Sequence, residues 1–465
     1  MILNKNLTVH FVGIGGIGIS AIAEILLDFG FKVSGSDISS GANVDKLKSR
    51  GVTIFIGHAG ENIFGANLVV HSSAVDKNNV ELQNARRMNI PVLNRAEILS
   101  DIMMLKKGLA IAGAHGKTTT TSMVSTILVE YGMDPSYIIG GIVKNLQGHA
   151  KVGKGDYLVV EADESDGTFL EISPLLSIIT NIDNDHLDYY GAQTALDEAF
   201  FKFANMVPFY GLCILNGDDQ KLLQFKDRMK KPFVYYGLNK ENRSQYNYFA
   251  HEIKHAVDGT SYTLVVDNHT TYRVSLAVNG NHNVQNSLAA LALCCKLGIP
   301  IFDAIKMIKK FTGVGRRLER IYADNIITVF DDYAHHPTEI NASIEALRAM
   351  FPSQKIKLFF EPHRYTRTRD CWNQYLHCFN GVDELCLLPI YPASEQPIAG
   401  ITTEGLCVDI NRIHGPFSVF VDKFPEVLTN SITAKETPIV VIMGAGSIGR
   451  KAREIIKSLN PLSIS

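Results

Sequence analysis

Gly108-Leu109-Ala110-Ile111-Ala112-Gly113-Ala114-His115-Gly116-Lys117-Thr118-Thr119 is the stretch that decides the fold of this chain. Its first five residues are small or apolar, as a buried strand requires. Two glycines then mark a turn, and residues 117–130 read as a helix. Strand, glycine turn, Lys-Thr and helix make a phosphate cradle. The glycines let backbone N–H groups close on phosphate oxygens, and the helix N-terminus adds the positive end of its dipole. Lys117 can reach β- and γ-phosphates, and the Thr118 hydroxyl can hold Mg²⁺. The general pattern G-x-x-x-x-G-K-[ST] asks for glycine where this chain has Ile111, but the strand-to-helix context is the one the motif needs.

Working outward, three α/β blocks separate. The first opens with a strand at 7–12, a glycine turn, a helix at 21–29 and a strand at 32–36, with a later strand at 68–70. The second adds strands at 157–160, 176–180, 212–215 and 233–236. A polar stretch at 239–282 alternates at 262–266 and 272–276 as a β-meander does, and helices at 283–297 and 301–311 follow. The third has strands at 326–330, 356–360, 384–388, 417–421 and 438–442. Strands recurring with helices between them predict mostly parallel sheets.

At 465 residues the chain has room for about three domains. It is 46% hydrophobic and 20% charged, which suits globular cores. A formal net charge of −2 gives no basic excess for nucleic acid. The seven cysteines form no C-x-x-C pair and several lie in apolar runs, which predicts reduced thiols in a cytoplasmic protein. The first apolar stretch, 9–27, is broken by Glu24 and four glycines, so neither a signal peptide nor a membrane span is expected.

Other motifs carry chemistry. Gly13-Ile14-Gly15-Gly16-Ile17-Gly18 fits G-x-G-x-x-G at the first strand-to-helix turn, and Asp37 ends the second strand. That is a dinucleotide fingerprint with its ribose-binding acid, open to NAD, FAD or any nucleotide diphosphate. His71-Ser72-Ser73 lies at the same type of sheet edge. Glu161-Ala162-Asp163-Glu164-Ser165-Asp166 follows a strand after the phosphate loop, where a carboxylate can coordinate Mg²⁺. Asn181-Ile182-Asp183-Asn184-Asp185-His186 ends the next strand. Asn283, with Asn286 behind it, reads as an N-cap; Asn side chains also recognise adenine edges. Asp331-Asp332-Tyr333-Ala334-His335-His336-Pro337-Thr338 leads into a helix that Pro337 suits, and no second cluster with zinc spacing accompanies it. Glu361-Pro362-His363-Arg364-Tyr365-Thr366-Arg367-Thr368-Arg369 sets three arginines after a strand, suited to a carboxylate or phosphate. Arg316-Arg317 can face a phosphate too. A second G-x-G-x-x-G, Gly444 to Gly449, sits on the last strand with no acid after it, and reads as a structural turn.

Taken together, the phosphate loop, the 161–166 acids, the 181–188 segment, Asn281-His282-Asn283-x-x-Asn286, the 332–338 segment and Pro362-His363-Arg364-Tyr365-Thr366-Arg367-Thr368 resemble the Mur ligases, in the family's order and from Phe11 to about Arg450. Two positions depart from the family pattern: Ala114, where Thr is usual, and Ala334, where Gly is frequent. The resemblance implies three α/β domains. A Rossmann-like UDP-sugar-binding domain would span 1–106. A central P-loop ATPase-like domain with a mostly parallel sheet, binding ATP and Mg²⁺, would span 107–312. A Rossmann-like amino-acid-binding domain would span 313–465. It implies ATP-dependent amide formation between UDP-N-acetylmuramate and L-alanine, in a monomer or homodimer with no nucleic-acid or membrane partner. It places UDP-sugar at Gly13, Gly15, Gly16, Gly18, Asp37, His71 and Ser72. ATP falls to Gly113, Ala114, His115, Gly116, Lys117, Thr118, Thr119, Asn283 and Asn286. Metal falls to Thr118, Glu161 and His186, and amino acid and sugar to Tyr333, His335, His363 and Arg364. Lys117, Glu161, His186 and Arg364 are the catalytic candidates. The rivals are a ligase adding a murein tripeptide to the same sugar, an NAD-dependent oxidoreductase built on the first fingerprint, and a non-catalytic ATP switch.

Overall fold

A computed structural model describes residues 6–459 apart from Ser73, Ile142, Gln147, Asp166, Asp185, His186 and Glu436. Three sheets carry the fold. The first has five parallel strands in the spatial order Thr53–Ile56, Lys32–Asp37, Thr8–Val12, Leu68–His71 and Val92–Asn94. The order reverses at Thr8–Val12, so its C-terminal end opens a crevice beside the first glycine turn.

The central sheet is built around Lys107–Ala112, flanked in parallel by Leu176–Ile179 and Tyr157–Glu161. Leu212–Asn216 and Phe233–Gly237 continue it in parallel on one side and Ser136–Ile138 on the other. These strands are buried on both faces, which is why they read as unbroken apolar runs instead of alternating ones. The expected meander is present as Tyr248–Ala256, Gly259–Val266 and Thr270–Leu276 at one edge.

The third sheet runs Glu319–Ala323, Thr328–Asp332, Ile439–Met443, Ile356–Phe360, Glu384–Leu387 and Ser418–Phe420. All neighbours are parallel except the first pair. Glu319–Ala323 was not expected; it is an edge strand that opens with two charged residues, Glu319 and Arg320, has no fully buried position and gives no long hydrophobic run.

By backbone contacts the chain forms two compact units, 1–252 with 262–276 and 283–312, and 253–261 with 277–282 and 313–465. In the first, one apolar core joins the first and central sheets, from Phe11 and Ile22 through Leu99 to Ala110 and Val160. In the second, separate clusters centred on Leu358 and Val440 cover the two faces of its sheet.

Two expected boundaries are corrected. The helix expected at 283 starts at Asn281, following Gly280 at φ +99°, so Asn283 lies inside the first turn and is not its N-cap. The helix expected at 21–29 starts at Ile17, because Gly16 and Gly18 do not prevent the first turn from closing. Helix Lys117–Glu130 is as expected, and its polar run is buried. Thr121 and Ser122 hydroxyls donate to the carbonyls of Lys117 and Thr118 one turn back, which satisfies them locally. All seven cysteines are free thiols, and only Cys295 is less than buried.

Candidate active site

The phosphate loop takes its shape from the neighbouring strand end. Asn181 accepts the His115 N–H on its side chain at 2.8 Å and the Ala114 N–H on its carbonyl at 3.2 Å, while Thr180 Oγ1 donates to the His115 carbonyl. His115 Nε2 lies 2.8 Å from Asp183. Gly116 is left-handed at φ +82°, and a Cβ there would come 2.7 Å from Asn286 Oδ1. Asn286 in turn bonds Asn283 at 3.3 Å. Asn286, far away in sequence, therefore stands against the loop, and Asn283 is bonded to it from behind. Thr119 turns inward on the first helical turn and is nearly buried.

Lys117 Nζ donates to the Gly113 carbonyl at 2.6 Å and to both Glu164 oxygens at 2.8 and 2.7 Å. Burial works against its charge, but Glu164, Asp163 and Glu161 outweigh that and hold its pKa above the ordinary lysine value. Thr118 Oγ1 donates to Glu161 at 3.1 Å, and Glu161 also accepts the Gly140 N–H at 2.6 Å. Burial pushes the Glu161 carboxyl up. His186 lies outside the described residues, as do Asp166 and Asp185 of the two acidic segments.

The first glycine turn stands at the C-terminal edge of the N-terminal sheet. Gly13 and Ile14 N–H groups donate to the Ser36 carbonyl at 2.9 and 3.0 Å, and Gly15 N–H donates to Asp37 at 2.8 Å. Asp37 thus holds the turn with one oxygen. His71 ends the adjacent strand, and Ser72 N–H donates to the Val12 carbonyl at 3.1 Å, which brings both beside Gly13. A cavity of about 170 Å³ runs from this side to the other, lined by Gly18, Arg95, Lys117, Gly140, Glu161 and Asp163 among others. Arg95, Gly140 and Asp163 were missed as individual site residues. Arg95 offered one signal, its place at the first position of a helix capped by Asn94 and Glu97.

In the second unit, Tyr333, His335 and His363 form a ring cluster. Tyr333 and His335 meet edge-on at 5.6 Å, and His335 and His363 at 5.7 Å. His363 stacks on Tyr391 at 5.5 Å, a partner that sequence did not suggest. Burial above all lowers both histidines to about 4, with Arg367 adding to it in each case and Glu339 opposing it at His335, so both rings are neutral at pH 7. Arg316 and Arg317 lie 4.8 and 5.4 Å from the Tyr333 ring centre. Arg364 is exposed and held at φ +71°, ψ 140°, with its N–H on the Tyr391 carbonyl. The helix at Pro337–Met350 starts as expected at Pro337, with His336 and Glu339 as its capping box. The second glycine motif holds no room for phosphate. Glu361 fills it, accepting from Ile448 N–H and Ser447 Oγ at 3.1 Å each, and a Cβ on Gly446 would lie 2.3 Å from its carboxylate.

A Rossmann-ordered sheet, a phosphate-loop sheet and a second Rossmann-like sheet, strung in that order, define a three-domain α/β ligase. Three family models match in sequence: "Mur ligase family, catalytic domain" over 8–107, "Mur ligase middle domain" over 111–294 and "Mur ligase, glutamate ligase domain" over 316–446. The chain belongs to the Mur ligase family. It is 44% identical over 459 residues to a UDP-N-acetylmuramate–L-alanine ligase of Trichlorobacter lovleyi, covering 97% of this chain and 98% of that one. It is 42% identical to the protein of the same name in Geobacter sulfurreducens, covering 97% of each. Among solved structures it is similar to the UDP-N-acetylmuramate–alanine ligase of Thermotoga maritima, with a TM-score of 0.80, 30% identity, and coverage of 98% of this chain and 100% of that one.

Proposed function

We propose that this chain joins L-alanine to the carboxylate of UDP-N-acetylmuramate and converts ATP to ADP and phosphate. The observation that carries this reading is the cavity that opens both on the first glycine turn, at Gly18, and on the phosphate loop, at Lys117 and Glu161. A nucleotide sugar on one side and ATP on the other would meet there. The full-length likeness to the alanine ligases supports the choice of acid and amine. The three domains would run over 1–106, 107–312 and 313–465, and the enzyme would work in the cytoplasm as a monomer or homodimer. No described helix is long and apolar enough to cross a membrane.

A carboxylate is a poor acyl donor, so one of its oxygens first attacks the γ-phosphorus of ATP and ADP leaves. Phosphoryl transfer depends on positioning and on charge neutralisation. Lys117, protonated at neutral pH, would neutralise the transferring group once its ammonium moves from Glu164 to phosphate. Thr118 Oγ1 and Glu161 Oε2, 3.1 Å apart, are hard oxygen donors that fit Mg²⁺. Mg²⁺ bound there would neutralise charge on the phosphate oxygens; His186 is the further candidate ligand. Asn283 and Asn286 would serve the nucleotide. The alanine amine then attacks the acyl carbon, loses a proton, and phosphate departs. His335 and His363 are neutral, so holding the alanine carboxylate would fall to Arg364, with Tyr333 shaping the pocket.

The test is ADP release with UDP-N-acetylmuramate and each amino acid in turn. Turnover that needs both the sugar and alanine is expected. Turnover with a murein tripeptide instead of alanine, or with neither acceptor present, would overturn the reading.

A further inference from the structure

Arg95 opens the helix Arg95–Leu105, which follows the last strand of the first sheet. Its side chain lies across the first turn of the helix Ile17–Asp28. A Cβ built on Gly18 would sit 2.5 Å from Arg95 Nη1 and 3.2 Å from its Cδ, so glycine at 18 is what lets the arginine lie there. The guanidinium lines the cavity of about 170 Å³ that it shares with Lys117, Glu161 and Asp163. The cavity therefore has a cation on each side. Lys117 stands on the phosphate-loop side and is bound to Glu164. Arg95 stands on the glycine-turn side and makes no hydrogen bond or close ion pair with any described residue.

We infer that Arg95 binds the carboxylate of the nucleotide sugar and aims it at the phosphoryl group carried by the Lys117 loop. The inference rests on the function proposed above. Its physical ground is charge and shape. An anionic acceptor entering a cavity with Glu161 and Asp163 on its wall meets repulsion unless a cation accompanies it. Lys117 is committed to the phosphates. A guanidinium offers two parallel N–H donors, which match a carboxylate and fix its plane. One carboxylate oxygen is then oriented for attack while the other stays on the arginine, so Arg95 would touch the reacting group.

The test compares two probes, UDP-N-acetylmuramate and UDP-N-acetylglucosamine, which is the same nucleotide sugar without the lactyl carboxylate. Binding of each to the wild type, Arg95→Ala and Arg95→Lys is measured by calorimetry, together with ADP release. Arg95→Ala should weaken UDP-N-acetylmuramate by roughly ten- to a hundredfold, the loss of one charge-assisted pair. It should leave UDP-N-acetylglucosamine and ATP unchanged. Arg95→Lys should recover part of the binding and less of the turnover, since it keeps charge but not the fork. The Asn94–Glu97 capping box remains in both variants and holds the helix, which an unchanged melting temperature checks. An equal loss for both sugars would move Arg95 to the diphosphate and overturn the inference, as would no loss for either. A wild type that binds neither sugar would overturn the proposed function itself.

Discussion

Removing Lys117 should destabilise the protein as well as silence it, and the two effects should be separable. The ammonium touches both oxygens of Glu164, at 2.8 and 2.7 Å, and the Glu164 side chain is only 2% exposed. Lys117→Ala leaves that carboxylate without a counter-charge in a pocket that also holds Glu161 and Asp163. Breaking a buried pair on one side costs about 3–5 kcal/mol. The loss has an escape, because the carboxyl can take up a proton, and burial already pushes Glu164 up. A carboxyl whose folded pKa is raised binds more protons folded than unfolded, so its stability contribution falls as pH rises through that range. The destabilisation of Lys117→Ala should therefore be larger at pH 8 than at pH 5.5. Adding Glu164→Gln should restore most of the stability, since a neutral amide needs no counter-ion. It should not restore turnover, which should stay at least ~10²-fold down for want of a charge at the transferring phosphoryl group. Urea unfolding of the full chain, followed by hydrogen exchange in the helix Lys117–Glu130, measures the first effect, and ADP release the second. If Lys117→Ala unfolds at the wild-type urea concentration at both pH values, Glu164 is not its structural partner. If the double variant regains turnover, Lys117 is not the phosphoryl cation.

Three more expectations are open to direct measurement. Arg364→Gly should relieve about 1–3 kcal/mol of strain at φ +71°, against about 1 kcal/mol for a looser unfolded chain. Stability should hold or rise while kcat/KM for alanine drops about tenfold or more and the KM for ATP stays put; a clear loss of stability in urea would refute the strain argument. Gly116→Ala should raise the KM for ATP, because a Cβ 2.7 Å from Asn286 Oδ1 displaces that side chain and φ +82° disfavours alanine; unaltered ATP kinetics would show the loop tolerates both. His335, lowered to about 4 from 6.5, stays neutral when folded while the unfolded residue charges. The folded state then binds fewer protons, so the His335 contribution to stability is lost as pH falls from about 6.5 to 4, by about 3 kcal/mol. His335→Gln should lose less stability than the wild type over that window in urea titrations, and parallel curves would count against the shift.

Much of the architecture was legible because its determinants are local. Lys107–Ala112 with Lys117–Glu130, and Thr8–Val12 with Ile17–Asp28, are strand-turn-helix units of about twenty residues, set by apolar runs and by the glycines between them. Such units bury both faces of their strands, so a mostly parallel sheet followed from the recurrence of apolar strands with helices between them. The edge strand Glu319–Ala323 escaped because one exposed side leaves no hydrophobic run, and the Asn281 helix start because the chain turns at Gly280 with no capping side chain to announce it. What the sequence could not supply were the partners. Glu164 was legible as one acid among four, but not as the one that grips Lys117. Asn286 reaches Gly116 across 170 residues, Arg95 lies on Gly18, and Glu361 closes the second glycine turn that looked like the first. Those pairings depend on strand order and on which helix packs on which sheet face. They are decided by burial of surfaces far apart in the chain, which no local spacing encodes.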